Sequence, residues 1–426
     1  MIGNESIEMA IRQNLHKMAN QNDYVFWLDS CRLHSAQDIG DYDLIVGFGA
    51  QDKIELTSDT FDWGNITSFV KDDKWKFFAL SYEMKSKTSG LSGSNPDPLQ
   101  WPLISCVKPE IVVAIKKNGE VETVGISVSD ILNYSAKPDK TAADLLVQYD
   151  SLAASMSQIE HSDKVSQIKL EIAAGNMYEM NLCIGHTLNN FTCNQPFELY
   201  KLLISGSPTP FSSFLKINHK HVLCASPERY LFKDNDSIYA QPIKGTSKRY
   251  VNENADAESR LRLVTSVKER AEHIMIVDLV RNDLSKLSKA GTVRVEELFG
   301  IYGYKHVNQM ISTISGELNR NINFADSLQA TYPMGSMTGA PKYIVQKFID
   351  ALETTARGWY SGSIGYIDPK GNMDSNVVIR TLLYDSKKDC ATFAVGGAIT
   401  FDSDPDLEYE ECLLKSKAIR NLLDIN

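Results

Sequence analysis

At 426 residues, 43% hydrophobic and 23% charged, the chain has the length of two to three average domains, or of one large enzyme domain with a smaller partner region, and the composition of a soluble globular protein. A net charge of −10 argues against nucleic acid as the main partner, and no apolar run approaches the roughly 20 residues that cross a membrane. The first residues, Met1 to Glu5, lack the basic and apolar regions of a secretion signal, and the seven cysteines form no Cys-x-x-Cys pair, so reduced thiols, no zinc site and a cytoplasmic location are expected.

In chain order, apolar residues at helical spacing from Glu5 to Asn20 predict an opening helix. Strands are predicted at Tyr24–Ser30, Asp43–Gly49, Lys74–Leu80, Glu110–Ile115 and Val121–Ile126, with a polar surface loop over 85–98. A linking helix from Thr141 to Ile159 is followed by an amphipathic one from Asp163 to Ala174, closed by Gly175-Asn176. Further strands are expected at Met180–Leu188, His221–Ala225, Tyr230–Phe232 and Ser237–Ala240. The last two form a hairpin whose second strand runs into Pro242 and stops at Gly245. The longest helical signal covers Ala255–Val280, and late strands at Ser361–Ile367, Asn376–Leu383 and Thr392–Phe401 precede a closing helix over Leu407–Leu423. Strands interleaved irregularly with helices, without repeats, indicate an α+β fold of mixed or antiparallel sheets. A β-rich region over 1–140 would pack on a catalytic region over 141–426.

Several residue groups carry candidate chemistry. Lys244, beside a glycine that permits close approach of a ligand, is a nucleophile if the site strips its proton and an ordinary solvated lysine if not. Glu269 and Glu272 share a helix face, and Glu411 precedes Lys415 by one turn; glutamates from two helices suit magnesium, and a solvated face satisfies the same spacing. His273, with no second ligand motif, is a weak case for zinc. Glu228 follows a strand next to the lysine hairpin, as an acid or base or as one half of an ion pair. The small-residue stretch Tyr332–Lys342 opens a helix and offers either an anion site or a plain capping turn; it lacks P-loop spacing. Val395–Ile399 is a glycine-rich strand, and Arg380 is a carboxylate clamp or an internal ion-pair partner.

Together, SPER (226–229), PIKGT with Arg249 (242–249), KERAEHIMIVDLVRND (268–283), GSMTGAPK (335–342), GWYSGSIGY (358–366), Arg380, GGAITFDSDP (396–405) and YEECLLK (409–415) resemble one family, in family order: the chorismate-utilising enzymes, the large subunits of anthranilate synthase and aminodeoxychorismate synthase. The resemblance implies two packed sheets and a magnesium-dependent site for chorismate. Glu272 and Glu411, with Glu269 beside them, would hold magnesium. Ser336, Tyr360, Arg380, Thr246, Lys415 and the backbone at Gly396 would hold the substrate, and Glu228 would lie near the ring as acid or base.

The lysine divides the family. Anthranilate synthases typically read PIAGT; PIKGT resembles the aminodeoxychorismate synthases, where the lysine is proposed to add to ring carbon C2 before ammonia attacks C4. A free lysine titrates near about 10.4, so that role implies a lowered value. Amination at C4 on the way to 4-aminobenzoate and folate is the leading expectation, with anthranilate synthesis or a non-catalytic chorismate-binding subunit as the alternatives. No Gly-x-Cys-x-Gly motif is present, so ammonia would come from a separate glutamine amidotransferase subunit.

Three departures stand out. The family's Gly-Asp-x-x-Gln-x-Asn-Leu-Ser reads here Gly175-Asn176-Met177-Tyr178-Glu179-Met180-Asn181-Leu182-Cys183. Glu179 falls in the segment where isochorismate and salicylate synthases carry a water-activating lysine, which speaks against water as the nucleophile. The family histidine of His-Leu-Val-Ser is replaced by Gln309, and the amino-terminal region matches loosely, with Leu28-Asp29-Ser30 similar to a tryptophan-binding strand.

Overall fold

The computed structural model describes residues 4–33, 36–134 and 144–425. Among them every strand pairing is antiparallel. Two large sheets face one another, flanked by helices, so the architecture is α+β as expected. The first sheet runs, in spatial order, Gly339–Ala340, Glu179–Asn189, Cys390–Ile399, Thr381–Asp385, Lys220–Ser226, Phe211–Ile217, Tyr24–Asp29, Tyr42–Phe48, Ile111–Lys116, Val121–Val124. Ser151–Ala154 adds a side pairing to Glu179–Asn189. The second runs Ile243–Lys248, Val307–Glu317, Ser237–Gln241, Arg229–Asp234, Met373–Asn376, Ser363–Ile367, Lys76–Leu80, Ile104–Lys108, Asp52–Leu56, with Arg294–Gly303 also on Val307–Glu317. The amino-terminal strands thus supply one end of each sheet.

Alternation along each strand explains the continuous apolar runs. Phe26, Ile45, Leu215 and Val222 of the first sheet meet Phe77, Ala79, Val107 and Ile364 of the second in one buried layer. Their neighbours Trp27, Val46, Phe214 and Leu223 point the other way, onto Ile11 and Leu15 of helix Asn4–Gln21 and Phe197 and Tyr200 of helix Pro196–Gly206. The outer face of the second sheet is covered by Ile66, Val277, Leu284 and Leu328 from three further helices. A strand buried on both faces shows no polar alternation, and each large side chain so removed from water stabilises the fold by about 1.5–3 kcal/mol.

Four sequence expectations are corrected. The linking helix over 141–159 is not there in its described part: Val147–Gln148 and Ser151–Ala154 are strands, and the helix begins only at Gln158, where Ser157 and Glu160 form a capping box; 141–143 lie outside the described residues. The long helix over 255–280 is two helices, Glu253–Thr265 and Val267–Ser285, because Ser266 leaves the helical region (ψ 118°) and its hydroxyl accepts the Glu269 N–H at 3.3 Å. The strand at 376–383 is divided into Met373–Asn376 in the second sheet and Thr381–Asp385 in the first, so Arg380 is at a crossover (φ +52°) and not inside a strand. The hairpin strand does not stop at Gly245 either; after Pro242 it resumes as Ile243–Lys248. Among the described residues no helix is long and apolar enough to cross a membrane.

Candidate active site

The resumption after Pro242 aims Lys244. Ile243 pairs with Ile311 and Thr246 with Gln309, so Lys244 and Gly245 together oppose a single residue and form a bulge, a geometry that redirects a side chain. Gly245 takes φ +84°, which favours glycine; a Cβ there would stand 2.8 Å from Glu269 Oε2, a side-chain end that can swing aside, so the backbone angle is the reason for glycine. His273 fixes the bulge from behind. Its Nδ1–H donates to the Lys244 carbonyl (3.2 Å), and its Nε2 accepts from the Ser312 hydroxyl (2.7 Å). Burial pushes this imidazole down to about 4, so it stays neutral, and both nitrogens are used; it is a structural clamp and not a zinc ligand.

So aimed, Lys244 Nζ donates to Glu179 Oε1 at 2.5 Å, with the two side chains 10% and 1% exposed. Glu228 lies alongside. Its carboxylate accepts from the Ser336 hydroxyl and the Ile243 N–H, yet burial outweighs both bonds and the Lys244 charge and pushes it up from 4.5 to about 7. The sign of the resulting pH dependence follows. Between about 4.5 and about 7 the unfolded chain has lost a proton that the folded one keeps, so stability falls with rising pH and the loss is complete above that range. Glu228→Gln is therefore expected to be more stable than the wild type by roughly 3 kcal/mol at pH 8, with no difference at pH 4, as read from denaturant unfolding at the two pH values.

Glu269 and Glu272 stand one turn apart on helix Val267–Ser285, and Glu411 comes from helix Pro405–Leu422. Glu272 is pushed up to about 7, mainly by burial and further by Glu179 and Glu269; its Oε1 accepts from Thr400 at 3.3 Å. Glu269 is raised by burial, with Glu411 adding to the shift. Glu411 goes the other way, pulled down by Lys415 at 2.6 Å. These carboxylates feel one another without closing on one point: among the described residues no three His, Cys, Asp or Glu side chains are gathered into a complete cation site. Hard oxygen donors from two helices do fit magnesium, which takes few protein carboxylates and fills its remaining positions from water and substrate, although Lys415 and Lys268 already lie beside Glu411 and Glu272.

The other predicted residues divide. Lys415 Nζ also donates to the Gly396 carbonyl (2.9 Å), which joins the closing helix to the glycine-rich strand. Ser336 reaches Glu228. Tyr360 is buried, its hydroxyl bonded to the Cys183 thiol, and Thr246 is exposed. Arg380 is half-buried and lowered by burial, and it makes no ion pair with a carboxylate among the described residues. The stretch Tyr332–Lys342, a helix-end anion site or a capping turn by sequence, has part of its backbone already engaged. Gly339–Ala340 is spent on pairing with Glu179 and Met180, and the Met337 and Thr338 N–H groups bond within the turn. Lys342 is tied to Asp283 and the Thr331 carbonyl.

Over residues 25–421 the sequence matches the family described as chorismate binding enzyme. The chain belongs to the chorismate-binding enzyme family. Among its relatives, aminodeoxychorismate synthase component 1 of Klebsiella aerogenes is 37% identical over 275 residues, 64% of this chain and 59% of the relative. The Escherichia coli (strain K12) protein of the same description is 35% identical over 272 residues, again 64% and 59%. Anthranilate synthase component 1 of Aquifex aeolicus is 31% identical over 384 residues, 85% of this chain and 75% of the relative. The chain thus matches about three fifths of the length of the first two. In three dimensions it is similar to anthranilate synthase component I from Streptococcus pneumoniae (TM-score 0.76, 22% identity, 91% of this chain and 95% of that one). It is also similar to the menaquinone-specific isochorismate synthase MenF from Escherichia coli (TM-score 0.73, 17% identity, 95% and 90%). At those identities the likeness concerns the fold.

One residue that sequence reasoning passed over stitches this family site together. Arg357 is buried and pairs with Glu353 (2.5 Å); it also donates to the carbonyls of Met337 (2.6 Å) and Asn181 (2.9 Å). It therefore binds the turn behind Ser336 to the strand that carries Glu179. Its sequence signal is slight, an arginine just before GWYSGSIGY. Arg357→Met is expected to cost about 3–5 kcal/mol, because it leaves Glu353 buried without its partner; urea unfolding measures this directly.

Proposed function

We propose that this chain is an aminodeoxychorismate synthase component I that aminates chorismate at C4, with ammonia delivered by a separate glutamine amidotransferase subunit. The observation that carries the reading is the Lys244 ammonium, aimed by a bulge and seated on the buried Glu179. All residues given roles here lie between 179 and 415, which supports assigning catalysis to 141–426.

Glu179 Oε1 is the acceptor to which Lys244 passes its proton. The free amine forms a bond to C2 as the ring electrons shift and the C4–oxygen bond breaks. Glu228, which keeps its proton up to about pH 7, gives it to the departing hydroxyl as water leaves. Ammonia then bonds to C4, the electrons return, and the C2–nitrogen bond to Lys244 breaks. Arg380, which has no carboxylate partner among the described residues, clamps one substrate carboxylate, and Ser336, Tyr360, Thr246 and the Lys415–Gly396 contact border the ring. Glu272 and Glu411, with Glu269 nearby, would hold a magnesium ion, whose charge would receive the other carboxylate.

The test is chromatography of the product from chorismate, magnesium chloride and excess ammonium chloride at neutral pH, where Glu228 still carries a proton in part of the molecules, with and without an aminodeoxychorismate lyase. The expected result is 4-aminobenzoate only when the lyase is present; anthranilate would overturn the reading. A second reading, amination at C2, is favoured by the longer match to the Aquifex anthranilate synthase.

A further inference from the structure

In and beside the turn that joins Arg294–Gly303 to Val307–Glu317, two buried polar atoms have no hydrogen-bond partner among the described residues: the Tyr304 hydroxyl and Gln309 Oε1. Their residues are 6% and 2% exposed. They share a face. Val307, Gln309 and Ile311 alternate onto one side of their strand, and Tyr304 packs with Val307, Ile311 and Ile243, the residue before Lys244. Thr246 opposes Gln309 on the neighbouring strand, so the same face continues onto the strand of the lysine. Buried polar atoms without a partner are costly, and folded proteins rarely keep them unless a ligand, ion or water completes them. Tyr304 is also held in place. Its N–H donates to the Val307 carbonyl (2.8 Å), and its carbonyl accepts from Arg249 Nη1 (2.6 Å), so the arginine that follows PIKGT anchors the backbone of this tyrosine.

Two arginines lie near enough for the Tyr304 hydroxyl to feel their charge, Arg229 and Arg380. Arg229 is spent, bonding Asp374, Gln241 and the Ile39 carbonyl. Arg380 has no carboxylate partner among the described residues, and burial disfavours its charge. Burial pushes the Tyr304 hydroxyl up, so it keeps its proton and offers it as a donor. A guanidinium and a phenol proton within reach of one another's charge, both unspent, suit an anion with two acceptor oxygens, which is a carboxylate. Gln309 Oε1 asks for the opposite, a donor. Chorismate carries two carboxylates and one hydroxyl, so a single ligand meets both needs. We propose that Tyr304 is a substrate-binding residue whose hydroxyl donates to the chorismate carboxylate that Arg380 clamps. The inference deepens the reading of Arg380 as that clamp and rests on it.

The test is calorimetric titration of chorismate into the wild type and Tyr304→Phe, with magnesium chloride present and ammonium left out, so that amination does not consume the ligand. Phenylalanine keeps the ring in its apolar cluster and removes the hydroxyl alone. The expected outcome is a Kd for chorismate raised about tenfold, with a ligand-free Tm at or above that of the wild type, because no internal bond is lost. A ligand-free Tm lower by several degrees overturns the proposal, since the hydroxyl would then serve the fold. In an Arg380→Lys background the same change should raise Kd by about threefold or less, because both groups act on one carboxylate. A further full tenfold there would put the hydroxyl on another part of the substrate and overturn the assignment. Wild-type protein that takes up no chorismate sinks the substrate reading and this inference together; a wild type that binds and a Tyr304→Phe that binds equally well sink the inference alone.

Discussion

Lys244→Ala is expected to abolish amination of chorismate, lowering kcat on the order of a thousandfold or more, and to destabilise the protein at the same time. The two effects have different origins and can be separated. The lost nucleophile removes the covalent route. The lost cation leaves Glu179 as a buried carboxylate with no counter-charge, which costs about 3–5 kcal/mol. Adding Glu179→Gln to Lys244→Ala removes the orphaned charge, so the double variant should recover most of the unfolding free energy and none of the activity. A double-mutant cycle in both readouts checks this. If the double variant regained turnover, the defect of Lys244→Ala would be one of folding, and the lysine would not be the nucleophile.

Arg380→Met is expected to raise the KM for chorismate by about 30-fold to several thousandfold, the equivalent of roughly 2–5 kcal/mol for truncating one partner of a desolvated, hydrogen-bonded charge pair. Stability should move the opposite way or not at all. In the free protein burial disfavours the guanidinium charge, and no carboxylate pairs with it among the described residues. Removing it therefore relieves a cost that substrate normally offsets. A thermal scan with and without chorismate distinguishes the cases: the variant should melt at or above the wild-type temperature alone and gain little from ligand. A fall of several degrees without ligand would mean that Arg380 serves the fold.

The chemistry of this site was more legible in the sequence than its geometry. Lys244, Glu228, Glu272 and Glu411 stand out as residue types next to glycines, strand ends or helical partners. Their neighbourhood depends on events that local patterns do not encode. The bulge at Lys244–Gly245 is set by Val307–Glu317, a strand not predicted because its polar, serine-rich sequence is buried among partners and not alternating against water. Leu145 to Met156 has helix-compatible residues, and sheet pairing overrides that local preference. Ser266 could have been read as a cap, since Ser266-x-x-Glu269 is a helix-start signature inside a longer periodic run. Arg380 is a candidate carboxylate binder by residue type, and the sequence places it in a strand because a crossover between two sheets looks like a continuous β run when only one face is considered. The Glu179 carboxylate was noticed as a departure, and its partner was invisible until the fold placed 179 beside 244.

The strand order has a consequence for how the protein reaches this state. The first sheet sets Tyr24–Asp29 beside Phe211–Ile217, and Lys220–Ser226 beside Thr381–Asp385, so neighbours in space are separated by well over a hundred residues in the chain. High contact order means that loop-closure entropy must be met before most pairings repay it, and folding is correspondingly slow. Lys244, Glu179 and Glu411 arrive from three distant stretches, and the last belongs to the final helix. On a ribosome the acidic cluster can assemble only after helix Pro405–Leu422 has emerged, so until then the nascent protein carries the lysine without the pocket that makes it reactive.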